Sequence, residues 1–206
     1  MNLYDLFSMC LSIPYLQTGG SANYAVHREG RVLYIFFEAS SGSNDWRINF
    51  NFPAKAYKRM GQPVWFAHRG FLDTWKEIEP VLADKIADRT VKKLVITGYS
   101  HGAALAMLCH EYVWYNRPDL RQTLDGYGFG SPRVFWGIKN AELSRRWERF
   151  HVIRNIDDIV THLPPAALGY RHVGTMIKLG GSGKYSPVDA HRPENILRER
   201  QPYREE

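Results

Sequence analysis

The apolar positions fall into short, sharply bounded segments whose period changes along the chain. Leu3, Leu6, Phe7, Cys10 and Leu11 recur at helical spacing and predict a first helix closed by Pro14. Tyr24–His27 and Val32–Phe37 read as two strands around a Glu29-Gly30 turn, a hairpin. Trp46, Ile48, Phe50 and Phe52 alternate with polar residues, which predicts a short strand ended by Pro53. Val64–Ala67 is another short apolar run. Phe71, Leu72, Trp75, Ile78, Leu82 and Ile86 then lie on one face of an amphipathic helix.

Beyond that helix the pattern becomes strand, helix, strand. Leu94-Val95-Ile96-Thr97 is β-branched and uniformly apolar, as in a strand covered on both faces. It runs through Gly98 into a small-residue helix over Ala103–Glu111. A strand over Leu124–Phe129, a helix around Ile138–Trp147, strands over Phe150–Ile153 and Val173–Leu179, and a short helix over Glu194–Arg200 complete the series. This order predicts an α/β fold: a mostly parallel sheet flanked by helices, with an antiparallel hairpin on its N-terminal side. Neither an internal repeat nor a linker interrupts it, and residues 1–206 are read as one domain, a size that buries a full core.

Composition changes this picture little. The 206 residues are 44% hydrophobic and 23% charged, ordinary for a globular chain. The net charge of +6 is spread among acids, as in Ser144-Arg145-Arg146-Trp147-Glu148-Arg149, and forms no basic stripe interleaved with aromatics, so no nucleic-acid partner is expected. No apolar run approaches the ~20 residues of a membrane helix, so no stable membrane insertion is expected. The N-terminus lacks a basic first region and a small-residue cleavage site, and Asp5 interrupts its apolar stretch. Cys10 and Cys109 lie in apolar helical segments as two reduced thiols. Together these features point to the cytoplasm.

The candidate chemistry centres on Gly98-Tyr99-Ser100-His101-Gly102, which fits G-x-S-x-G. That spacing suits a nucleophile on a tight strand-to-helix turn, because only small residues two positions either side let strand and helix approach. Roughly one chain in fifteen of this length carries the pattern by chance, so its setting between a buried strand and a small-residue helix is what gives it weight. Gly180-Gly181-Ser182-Gly183-Lys184 is not a phosphate loop, since Tyr185 stands where Ser or Thr belongs. The glycines at 126, 128 and 130 lack dinucleotide spacing and read as strand-end glycines. With no nucleotide loop and no metal-ligand cluster, neither cofactor nor metal is implied.

Five motifs in order resemble the class 3 lipase family. Phe37-Glu38-Ala39-Ser40 followed by Asp45-Trp46 resembles its F-R-G-[TS] loop and D-W; His68-Arg69-Gly70-Phe71 resembles H-x-G-F. The Ser100 turn follows, then Gly130-Ser131-Pro132-Arg133-Val134, similar to G-x-P-R-V, and Asp158-Ile159-Val160 with Leu163-Pro164, similar to D-x-V-P-x-L-P. Glu38 and Ala39 replace the usual Arg-Gly, Thr161 a usual Pro, and His101 a frequent Leu. The resemblance implies an α/β-hydrolase fold in a small, bacterial-type member. It also implies a serine hydrolase that cleaves small-molecule or lipid carboxylic esters. Two other readings are an idle α/β-hydrolase fold used for binding or signalling, and an acyltransferase with the same triad.

In this fold the acid follows the serine and the histidine follows the acid. Asn155-Ile156-Asp157-Asp158 is a loop after a later strand, and since neighbouring side chains diverge only one of the two aspartates reaches the imidazole. The residues leave both open, and the resemblance places Asp158. Among His162, His172 and His191, the last follows a Gly- and Pro-marked loop and precedes the last helix, the expected place of the base. His172 reads as a packed or hydrogen-bonded residue at a strand start, and His162 as part of the acid's own loop. The oxyanion would meet the backbone N–H of His101 and, by resemblance, that of Ser40. His68 reads as structural. The alternation ending at Pro53 implies a short lid or none.

Overall fold

The structure is a computed structural model that describes residues 2–17, 22–39, 53–58, 64–137, 144–180 and 182–199. Helix α1 (Leu3–Ser12) starts where the Asn2 side chain accepts from the N–H groups of Tyr4 and Asp5 at 3.0 and 2.9 Å. It stops before Pro14, with Ile13 extended as a residue preceding proline must be. Strands β1 (Tyr24–Glu29) and β2 (Val32–Phe37) pair antiparallel, as expected, across a turn in which Gly30 has φ +57°.

After the hairpin the main sheet is parallel. It adds β5 (Lys93–Tyr99), β6 (Leu124–Phe129), β8 (Phe150–Asn155) and β10 (Thr175–Leu179) in the order β1-β2-β5-β6-β8-β10. Helices α2 (Arg69–Ala87) and α3 (His101–Asn116) cover one face, while α1 and α4 (Pro193–Arg198) cover the other. The uniform apolarity of Leu94–Ile96 follows from this sandwich. Leu94 and Ile96 pack under α2 and α3, whereas Val95 joins Leu6, Phe7 and Ile196 on the far side.

A second, small antiparallel sheet stands beside the expected one and takes in the Val64–Ala67 run: β3 (Ala54–Lys58), β4 (Val64–His68), β7 (Phe135–Trp136) and β9 (Tyr170–Arg171). Two-residue strands carry no period, and Ala54-Lys55-Ala56-Tyr57-Lys58 shows no strong alternation to read. Other boundaries moved for local reasons. Gly174, at φ +80°, would press a Cβ within 2.2 Å of the Phe150 carbonyl, so β10 begins after it rather than at Val173. Of the helix expected over Ile138–Trp147, only Ser144 and Arg145 are helical among the described residues, and Arg146–Arg149 form a turn. His172 lies just past β9 instead of starting a strand. The strand expected from Trp46 to Phe52, and with it any lid, lies outside the described residues, as does Ser40. Among the described residues no helix is long and apolar enough to cross a membrane.

Candidate active site

Ser100 sits between the end of β5 and the start of α3 with φ 55° and ψ −119°, the one positive φ outside glycine among the described residues. Such a backbone costs on the order of 1–3 kcal/mol and persists only where the surroundings fix it. Here the Ser100 N–H donates to Phe129 O at 2.9 Å and its carbonyl accepts from Ala103 N at 3.0 Å. The crossing is too tight for any side chain. A Cβ on Gly98 would lie 2.1 Å from Gly102 O, and one on Gly102 would lie 2.2 Å from Phe37 O. Ser100 makes no side-chain capping bond, which leaves its hydroxyl to the histidine.

The structure brings Ser100, His191 and Asp158 into one hydrogen-bonded line. His191 Nε2 is 2.9 Å from Ser100 Oγ, and His191 Nδ1 is 2.8 Å from Asp158 Oδ2. Asp158 is fully buried, and its other oxygen accepts the Val160 N–H at 2.8 Å. With Nδ1–H donating to this carboxylate, Nε2 carries the lone pair that accepts the serine O–H. Asp157 points elsewhere. Its carboxylate accepts the N–H groups of Gly183, Lys184 and Tyr185 at 3.0, 3.1 and 3.3 Å and so anchors the loop leading to His191. His172 is bonded to Thr161 O at 2.7 Å and His162 to Arg154 Nη1 at 3.2 Å, so both serve the acid's loop.

Two further residues, given no role by the sequence pattern, support the imidazole. The Tyr99 hydroxyl donates to the His191 carbonyl at 2.6 Å, and its ring stacks on the imidazole with centroids 5.1 Å apart. Gly130 directly follows β6, as a strand-end glycine should, and also underlies the pair. At φ +56°, a Cβ there would stand 2.8 Å from His191 Cε1 and 3.2 Å from Asp158 Oδ2. Its place in the Gly130-Ser131-Pro132 motif was the available signal.

The N–H of His101, first in α3, has no acceptor inside the helix and lies at the positive end of the helix dipole. The His101 and His68 rings flank Phe71, at 5.5 and 4.4 Å between centroids. Burial pushes the pKa of each down to about 4, with His101 adding to the effect on His68. Both are therefore neutral at pH 7 and form packing under the turn, in keeping with a structural His68. Among the described residues no group of three or more His, Cys, Asp or Glu is gathered as a metal ion would require.

The model of the family described as Lipase (class 3) matches residues 34–168. This chain belongs to the class 3 lipase family. The lipase of Rhizomucor miehei is 31% identical over 150 residues, covering 70% of this chain and 40% of that protein. Secreted mono- and diacylglycerol lipase 1 of Fusarium solani is 31% identical over 176 residues, covering 82% of this chain and 50% of the relative. The chain thus spans 40% to 50% of the length of these curated relatives. One solved triacylglycerol lipase, described as having a serine protease triad as its catalytic centre, superposes with a TM-score of 0.65 at 27% identity. That match covers 81% of this chain and 64% of the solved one. The relatives named here are fungal, and they establish the family and the α/β-hydrolase fold rather than a bacterial type.

The cytoplasmic expectation does not stand, since the Fusarium relative is a secreted enzyme. The features behind it carry no such information. Cys10 and Cys109 belong to core clusters on opposite faces of the sheet, so no disulfide joins them whatever the redox compartment. Residues 3–12 form a packed helix of the fold.

Proposed function

We propose that this class 3 lipase is an extracellular serine hydrolase that cleaves carboxylic esters, including glycerol esters, through Ser100, His191 and Asp158. The carrying observation is the serine hydroxyl held 2.9 Å from an imidazole whose other nitrogen meets a buried carboxylate. In this reading His191 Nε2 takes the hydroxyl proton as Ser100 Oγ adds to the ester carbonyl. The tetrahedral oxyanion is met by the His101 N–H and by that of Ser40, the latter on the sequence resemblance alone. His191 then protonates the leaving alcohol, and the same base activates the water that frees the acid from the acyl-enzyme. Asp158 keeps the imidazole in the required tautomer and stabilises its cation. The names of the relatives, lipases for mono-, di- and triacylglycerols, support glycerol esters as the substrate class.

Hydrolysis of p-nitrophenyl esters over a chain-length series, with Ser100→Ala as control, tests this. The variant should fold normally, lose turnover by about a million-fold and fail to react with a fluorophosphonate. Activity above a hundredth of wild type would refute the assignment.

A further inference from the structure

On the α1 side of the triad a cavity of about 410 Å³ opens at the C-terminal ends of β2 and β5, the edge that carries Ser100. No triad side chain is among its lining residues, but two of those residues adjoin the reacting groups. Tyr99 precedes Ser100 and stacks on His191, and Ala39 precedes Ser40. The remaining lining is mixed: Cys10, Leu11 and Ile13 form an apolar side, while Glu38, Asn23, Gln17 and Tyr15 place a carboxylate, two amides and a phenol around it. Asn23 Nδ2 donates to Glu38 Oε2 at 2.6 Å, and Glu38 N donates to Asn23 O at 3.1 Å, so the carboxylate is held in place. Among the described residues no cation lies within ion-pair distance of it.

We propose that this cavity receives the alcohol half of the ester, and that Glu38 selects alcohols bearing free hydroxyl groups, as in a monoacylglycerol. The proposal rests on the ester-hydrolase reading above and adds a specificity determinant to it. A carboxylate only accepts hydrogen bonds, so free hydroxyls on the leaving alcohol satisfy the oxygen that Asn23 leaves open. A hydrocarbon alcohol would cover that oxygen without a donor, and sites built to bond a substrate hydroxyl discriminate strongly against analogues lacking one.

The test compares 1-monobutyrin with ethyl butyrate, which share an acyl group and differ in the free hydroxyls of the alcohol. The wild type should favour monobutyrin in kcat/KM. In Glu38→Gln, which preserves size and an acceptor for Asn23, the ratio of the two kcat/KM values should fall about tenfold, through the KM for monobutyrin. Glu38→Ala should behave alike; should it fail to fold, Glu38→Gln decides alone. An unchanged ratio, equal losses on both esters, or no wild-type preference would overturn the role of Glu38 while leaving the hydrolase reading intact. Hydrolysis of neither ester by the wild type would overturn both.

Discussion

At the residue scale, adjacent positions take opposite duties because a turn sends their side chains apart. Asp158 is buried against His191, while Asp157 faces the 183–185 loop and holds three of its N–H groups. Asp158→Asn should therefore cut ester turnover by about ten-thousand-fold, since a neutral amide no longer enforces the tautomer. Asp157→Asn keeps one acceptor oxygen for the loop, and its turnover should stay within about tenfold of wild type. Steady-state kinetics on both variants decides the matter, and the reverse order of severity would move the acid back by one residue. Gly130 offers a second check. Gly130→Ala adds one methyl group 2.8 Å from His191 Cε1, so the imidazole must shift. A misplacement of that size should cost about a hundredfold in kcat, and because alanine is strained at φ +56° the variant should lose thermal stability as well.

At the element scale, α3 shows what a helix buried over most of its length must accommodate. Packed against β2, β5, β6 and α2, it carries His110 and Glu111 into the interior. Glu111 is answered by the Tyr57 hydroxyl at 2.8 Å and by Arg146 Nε at 3.1 Å. Arg146, which reads in the sequence as one more surface cation, is only 2% exposed and lies over the rings of Trp65 and Trp147 at 4.6 and 4.5 Å. Removing one partner strands the other charge, so Arg146→Ala should destabilise the fold by about 3–5 kcal/mol in urea unfolding. Arg146→Met combined with Glu111→Leu should lose much less than the two single changes together. His110 has no such partner among the described residues, its ring edge-on to Phe150 at 5.4 Å. His110→Leu should therefore gain about 1 kcal/mol at pH 7 by removing an unsatisfied buried N–H. A loss of stability in the same assay would mean that the ring nitrogens are satisfied after all.

For the molecule as a whole, buried neutral imidazoles predict acid lability. Burial pushes His68, His101 and His172 down to about 4 and His110 to about 3, from an ordinary value of 6.5. Between those values the unfolded chain binds protons that the folded chain refuses. Stability should be fully present above about pH 6.5 and fall steadily as the pH drops toward 4. Thermal midpoints between pH 7.5 and 4 measure this, and a flat profile would contradict the burial of these rings. His110→Leu should lessen the slope, its advantage over wild type widening as the pH falls.

The sequence determined what local periodicity and turn chemistry encode. The hairpin, the helix at Phe71–Ile86, the buried strand before Ser100 and the small-residue helix after it were legible because each extends over several residues of one period. The glycines at 98 and 102 marked Ser100 because no other residue permits that crossing. Geometry and residue order narrowed the site further but could not complete it. The choice between Asp157 and Asp158 came from a family resemblance, because two adjacent carboxylates differ only in where the folded loop aims them. The small antiparallel sheet, the Tyr99 and Gly130 supports under His191, the buried Arg146–Glu111 pair and the Glu38 cavity all join segments distant in sequence. Neither propensity nor pattern records which loops meet, so these features were decided only when packing of both sheet faces brought the chain together.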